Sequence, residues 1–221
     1  MKRLEMCMAV MGVCFASATA SAQSNVDPSQ SWAWSEIGWT NWRAVDGGVD
    51  GVKVHATVLS GFIWSESAGW INLGNGSPVN GVHYANVDGI DFGVNLDPAT
   101  GTLSGLAWGE QTGWISFDTG SLGNQSASFD LCENRFRGYA WGESVGWLNL
   151  DDATHHIALG PMCESGDLVC DGIVTLLDYN AFEWFFDGPE VSVSCPLFDS
   201  DADGDIDLRD VATFQQAYNS N

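Results

Sequence analysis

Basic side chains are scarce in this chain. Seven lysines and arginines stand against 29 aspartates and glutamates, a formal net charge of −22. A nucleic-acid partner needs a cationic footprint over its phosphates, so that class is excluded. The same imbalance suits a cation, because carboxylates gathered in a folded state repel one another until something neutralises them. Long apolar runs are also missing: the longest, from Met6 to Ala18, falls short of the ~20 residues of a spanning helix. Helical periodicity is absent before about residue 172. His55, His83, His155 and His156 have no metal-ligand spacing, no cysteine pair has the C-x-x-C spacing of a zinc site, and no nucleophile signature occurs. An enzyme is therefore not expected. If there is a catalytic connection, it is to O-glycosyl hydrolysis and polysaccharide catabolism.

The first 22 residues read as an export signal. Met1-Lys2-Arg3 is basic, the apolar stretch follows, and Ala20-Ser21-Ala22 offers a small-residue cleavage site. The expected product is secreted, lying outside the cell, at its surface or in the periplasm, with no transmembrane segment after cleavage. Cleavage removes Cys7 and Cys14 and leaves Cys132, Cys163, Cys170 and Cys195. An even number in an exported chain favours disulfides, and three connectivities remain open.

What the chain has in abundance is tryptophan, in a repeating frame. Gly138-Tyr-Ala-Trp141-Gly-Glu143-Ser-Val-Gly146-Trp147-Leu-Asn-Leu150 recurs as Gly105-Leu-Ala-Trp108-Gly-Glu110-Gln-Thr-Gly113-Trp114-Ile-Ser-Phe117. Gly61 to Leu73 is an earlier copy, and Ala33 to Trp39 is the earliest, one residue shorter between its tryptophans. Eight of the eleven tryptophans sit in these four copies, so repetition organises the fold. Val52–Val58 and Gly93–Leu96 carry β-formers, and Asp97-Pro98-Ala99-Thr100-Gly101 is a turn. Each copy reads as a short antiparallel meander ending in a tight hairpin. After residues 23–31, read as a linker, an all-β tryptophan-repeat domain is expected over 32–160, sandwich- or barrel-like.

Period two puts Leu106 and Trp108 on one face of their strand and Ala107 on the other, then Trp114 and Ser116 opposite Ile115 and Phe117. Apolar bulk on both faces suggests hairpins packed in layers. Tryptophans exposed in a row would form a platform for sugar rings. Their identical placement in every copy instead makes them the expected core-fillers, with Trp32 and Trp42, outside the frame, the better candidates for exposure. Glu36, Glu66, Glu110 and Glu143 recur at one turn, where they receive backbone N–H groups or face solvent. A glycosidase needs two carboxylates in different environments, and that asymmetry is missing.

These copies resemble the Gly-x-Ala-Trp-x-Glu-x-x-Gly-Trp-Ile repeats of exported proteins from environmental bacteria, and Tyr84 to Asn95 matches their linking segment. The resemblance implies an all-β repeat domain and brings no established activity.

Beyond Cys163 the composition turns acidic. Asp199, Asp201 and Asp203 fall at positions 1, 3 and 5 of a twelve-residue calcium loop, Gly204 at the sharp turn, Asp205 at 7, Asp207 at 9 and Asp210 at 12. A hard cation needs six to eight oxygens, which this spacing supplies from one short wrap. Leu208, Val211, Phe214 and Tyr218 follow at helical spacing. An upstream copy offers Asp167, Asp171, the Ile173 carbonyl, Thr175 and Asp178, with Val169 removing one ligand, so weaker Ca2+ binding is expected there.

Two loop–helix units over 163–221 resemble a dockerin type I domain. The resemblance implies an EF-hand-like, calcium-binding, α-helical module that plugs into a cohesin-like scaffold module and often accompanies polysaccharide-degrading enzymes. The residues after the ninth loop position, Leu176-Leu177 and Leu208-Arg209, depart from the small hydroxyl residues usual in that family. The expected protein is thus mostly β with a small dockerin-like C-terminal domain, non-catalytic, and assembled into an extracellular complex. Alternatives are a carbohydrate-binding or polysaccharide-degrading component of a cellulosome-like complex, and an adhesin or structural protein docking on an envelope protein.

Overall fold

The computed structural model describes residues 24–44, 50–160, 174, 179, 186, 195 and 198–219. The export signal, the upstream calcium loop (Asp167, Asp171, Ile173, Thr175, Asp178), Cys163 and Cys170 lie outside the described residues.

Each repeat copy folds as one antiparallel hairpin: β1 (Val26–Ser35) with β2 (Gly38–Asn41), β4 (Leu59–Ser65) with β5 (Gly69–Asn75), β7 (Leu103–Gly109) with β8 (Gly113–Ser116), and β11 (Tyr139–Gly142) with β12 (Gly146–Asn149). Each hairpin pairs antiparallel with the next, and β12 returns to β1 through Trp34 opposite Asn149. Eight strands therefore close into a barrel with one hairpin per repeat, which leaves no free sheet edge in the ring. The alternative of a layered sandwich does not occur. β1 begins at Val26, inside the stretch read as a linker, and Ser24 before it donates to the Val52 carbonyl at 2.5 Å.

The remaining strands brace the ring. β3 (Lys53–Val54) pairs with β4 and β6 (Val94–Leu96) with β7, completing the meanders that the sequence suggests. β9 (Ser128–Asp130), β10 (Arg135–Arg137) and β13 (Ile157–Leu159) form a ribbon that joins the start of β1.

The interior is a close-packed core. Ala33, Ile63, Ala107 and Ala140 point inward from the first strand of each hairpin, and Thr40, Ile71, Ile115 and Leu148 from the second. A deeper ring holds Trp42, Leu73, Phe117 and Leu150, all fully buried. Ile37, Ala68, Thr112 and Val145, the residues before each hairpin glycine, fold back toward that core from the loops. The small–large alternation is what a narrow eight-stranded barrel can hold.

Two glycine positions of the frame have a backbone reason. Gly113 sits in the hairpin loop at φ +67, and Gly38, Gly69 and Gly146 do the same in the other copies. Gly138 combines φ +74 with close approach: a Cβ there would strike the Ser126 carbonyl.

The acidic C-terminal segment ends in a helix, α1 (Leu208–Asn219), with Phe214 buried. Ile206, Phe198 and Cys195 form a second small core, against which Cys132 and Val211 pack. A disulfide joins Cys132, in the β9–β10 turn, to Cys195, across 63 residues. That bond resolves one of the pairings left open by the sequence and ties the acidic segment to the barrel.

Candidate functional site

The repeat tryptophans, expected in the core, face outward. Trp34, Trp39, Trp70, Trp108, Trp114, Trp141 and Trp147 are 40–47% exposed, and Trp64 is half-buried. Trp32 is exposed as expected, whereas Trp42 is fully buried, against expectation. The cause is strand parity in a narrow ring. At the level of the hairpins the inward positions hold Ala33, Ile63, Ala107 and Ala140 opposite Thr40, Ile71, Ile115 and Leu148, and strand alternation puts the neighbouring indoles outside.

The outward indoles pair across each hairpin. Trp34 faces Trp39 with ring centroids 5.0 Å apart, Trp64 faces Trp70 at 4.8 Å, and the Trp108–Trp114 and Trp141–Trp147 pairs stand at 6.5 Å. All are edge-to-face, a geometry that contributes about 0.5–1.5 kcal/mol per pair beyond area burial. Trp39, Trp70, Trp114 and Trp147 each carry a further ring contact, from His155, Phe62, Phe92 and Tyr139. Glu36, Glu66, Glu110 and Glu143 all lie exposed beside these pairs at the hairpin loops.

Beside the first hairpin this belt is concave. Trp32, Trp34, Trp39 and Trp64 wall a groove of about 560 Å³, with Glu66, Ser67 and His155 at its rim. Trp32 occupies the outward position that Phe62, Leu106 and Tyr139 hold in the other copies, so this hairpin carries an additional indole. The His155 ring lies 5.0 Å from Trp39, and the turn presenting it is held by Asp152, whose carboxylate accepts the Thr154 and His155 amides and is thereby held below the usual range. Ser67 donates to the Ile37 carbonyl at 2.9 Å, fixing the β4–β5 loop against the shorter β1–β2 loop. The shortened first copy was the place where the sequence broke its own pattern, and the groove lies there.

The second candidate site is the acidic loop. Carboxylate oxygens of Asp199, Asp201 and Asp203 lie within 4.8 Å of one another, and those of Asp205, Asp207 and Asp210 form a second such group. Gly204 takes φ +96 at the sharp turn, and its amide donates to Asp199 Oδ2 at 3.0 Å. Asp210 is fully buried and accepts from the Ser200 and Asp207 amides at 2.6 and 2.8 Å, closing the loop on the first turn of α1. The Asp201 carboxyl is pushed up by desolvation and then by the crowding of Asp203, Asp210 and Asp199. Arg209 offsets part of that charge through Asp203 at 2.7 Å. The all-oxygen donor set and the glycine turn fit a hard cation such as Ca2+.

Among the described residues no helix is long and apolar enough to cross a membrane. No family model, characterised protein or solved structure matches the chain.

Proposed function

We propose that this is an exported, non-catalytic glycan-binding protein whose barrel presents indole faces to sugar rings. The observation that carries the reading is the groove walled by Trp32, Trp34, Trp39 and Trp64 with a polar rim. Pyranose rings offer flat C–H faces to aromatic platforms and hydroxyls to a polar edge, and Glu66, Ser67 and His155 supply that edge. The repeat glutamates act as surface groups: all four stand exposed at hairpin turns, and among the described residues Glu66 is the one carboxylate lining the groove, where acid–base hydrolysis requires a pair. The test is retention on a panel of insoluble polysaccharides. Retention is expected for the intact protein and is expected to be lost on Trp34→Ala with Trp39→Ala. No retention on any member of the panel overturns the reading.

The acidic segment favours a second role beside the first: calcium-dependent attachment to an extracellular assembly through a dockerin-like module. Its support is the register of Asp199, Asp201 and Asp203 around Gly204, with buried Asp210 closing the loop. Ca2+ would be held by Asp199, Asp201, Asp203, the Asp205 carbonyl, Asp207 and Asp210, with the upstream set contributing more weakly. Neutralising that charge couples cation binding to folding of the segment. Adding Ca2+ is expected to raise the thermal midpoint of the C-terminal transition, and Asp199→Ala with Asp201→Ala to abolish the shift. An unchanged midpoint sinks the calcium reading, and failure to retain a scaffold module or envelope protein in Ca2+-dependent pull-downs sinks the attachment.

A further inference from the structure

The groove beside the first hairpin is selective in its electrostatics as well as its shape. Four of its lining residues are indoles, whose rings attract cations, and among the described residues its only acid is the exposed carboxylate of Glu66. No lysine or arginine lines it among the described residues. The described guanidinium groups are committed elsewhere. Arg135 and Arg137 pair with Asp151, Arg209 pairs with Asp203, and Arg43 donates to the Ser24 and Val26 carbonyls. Anionic sugars would meet aromatic quadrupoles, a carboxylate and a strongly negative chain, with the His155 imidazole as the one group among the described lining residues able to pair them. An ammonium group meets the opposite: ring faces that attract cations and an acid within the same groove.

We infer that the groove walled by Trp32, Trp34, Trp39 and Trp64 binds amino-sugar units bearing a free, protonated amine, with Glu66 pairing the ammonium group. This rests on the glycan-binding reading and names the class of sugar. The sugar ring lies against the indoles while its ammonium group sits between an indole face and the Glu66 carboxylate. An N-acetylated unit loses the charge at that point, and a neutral glucan offers Glu66 only uncharged hydroxyl donors.

The hypothesis is tested with defined hexamers of glucosamine, N-acetylglucosamine and β-1,4-glucose, titrated at pH 6.0 while tryptophan fluorescence is followed. The glucosamine hexamer is expected to bind about tenfold more tightly than either neutral hexamer, a preference within reach of one partly desolvated cation–aromatic contact. A quaternised trimethylglucosamine hexamer, charged at every pH, is expected to keep the advantage at pH 8. Because a chain of net charge −22 attracts any polycation, two charge-matched variants are compared. Glu66→Gln is expected to bring the preference down to about threefold or less, and Glu110→Gln, which removes the same charge from the equivalent turn of another hairpin, to leave it unchanged. Equal losses in both variants overturn the assignment, since they reveal diffuse attraction. Equally tight binding of the neutral hexamers overturns the amine preference and leaves the glycan reading standing. Absence of binding by every hexamer overturns the amine assignment, and the glycan reading then stands or falls with the polysaccharide panel.

Discussion

The indole of Trp42 lies against the ring of Phe136, centroids 5.1 Å apart, inside the barrel and wholly out of solvent. Phe117 approaches the same indole at 6.2 Å, so residues from three repeat copies meet on one side chain. Trp42→Ala is accordingly expected to cost about 3–5 kcal/mol, the range for removing a large buried aromatic. Trp114→Ala, on the outer face, is expected to cost about 1–2 kcal/mol, since it loses partial burial and one edge contact. Urea denaturation of both variants checks the contrast. Equal costs would mean that the outer belt is part of the core.

The frame glycines separate two kinds of strain. Gly113→Ala meets nothing within 4 Å and pays only for its left-handed backbone, about 1–2 kcal/mol. Gly138→Ala adds a collision with the Ser126 carbonyl and is expected to be the more destabilising of the two in the same urea assay. If Gly138→Ala proves as mild as Gly113→Ala, the ribbon before β11 is not held where the structure has it.

Cys195→Ser removes the link to Cys132. For a separation of 63 residues, the loss of chain constraint corresponds to about 4 kcal/mol by loop-entropy arithmetic. The effect is expected on the acidic segment: limited proteolysis should release it from the variant, while the barrel fragment stays intact. Identical digestion of the variant and the disulfide-bonded protein would contradict this.

His156 gives the pH dependence a direction. Burial first, and then the charges of Arg135 and Arg137, hold its imidazole below the ordinary range. The unfolded chain therefore takes up a proton at this position at a higher pH than the folded one does. Above the unfolded value near 6.5 the residue is neutral in both states and costs nothing. As pH falls below that value stability declines, until the folded form is also protonated. Thermal midpoints between pH 7.5 and 5 are expected to fall less steeply in His156→Gln than in the parent. Parallel profiles would assign the acid sensitivity to other groups.

The repeat frame made the hairpins legible from spacing alone, because Trp, Glu, Gly and Trp mark the same strand ends and left-handed turn in every copy. Closure was not legible. Sequence periodicity sorts residues onto two faces, but which face points inward depends on how many strands share the ring. With both faces apolar, bulk alone favoured the indoles for the core, and the narrow interior favoured Ala107 and Ile115. Trp42 could have been placed correctly by extending the alignment three residues past Trp39. Thr40 then falls with Ile71, Ile115 and Leu148, and Trp42 with Leu73, Phe117 and Leu150. The groove needed three dimensions, since Trp64 and His155 reach it from strands and turns far from Trp34 in sequence. The acidic loop was the most legible element, its alternating aspartates fixing the turn at Gly204 by local chemistry. The Cys132–Cys195 pairing was not, because four cysteines carry no spacing rule.

The pairing of Trp34 with Asn149 sets a rule on how such a chain can change its length. Stacked open repeats gain or lose a unit at little cost, since each new unit buries the face of the last. A ring has no terminal unit. Removing one hairpin would force six strands to span a circumference set for eight, and adding one would open a void where Trp42 and Phe117 now meet. Copy number is thus locked at four by geometry, and variation is channelled into what each copy displays. The first copy, a residue shorter and carrying an additional indole, shows that latitude being used.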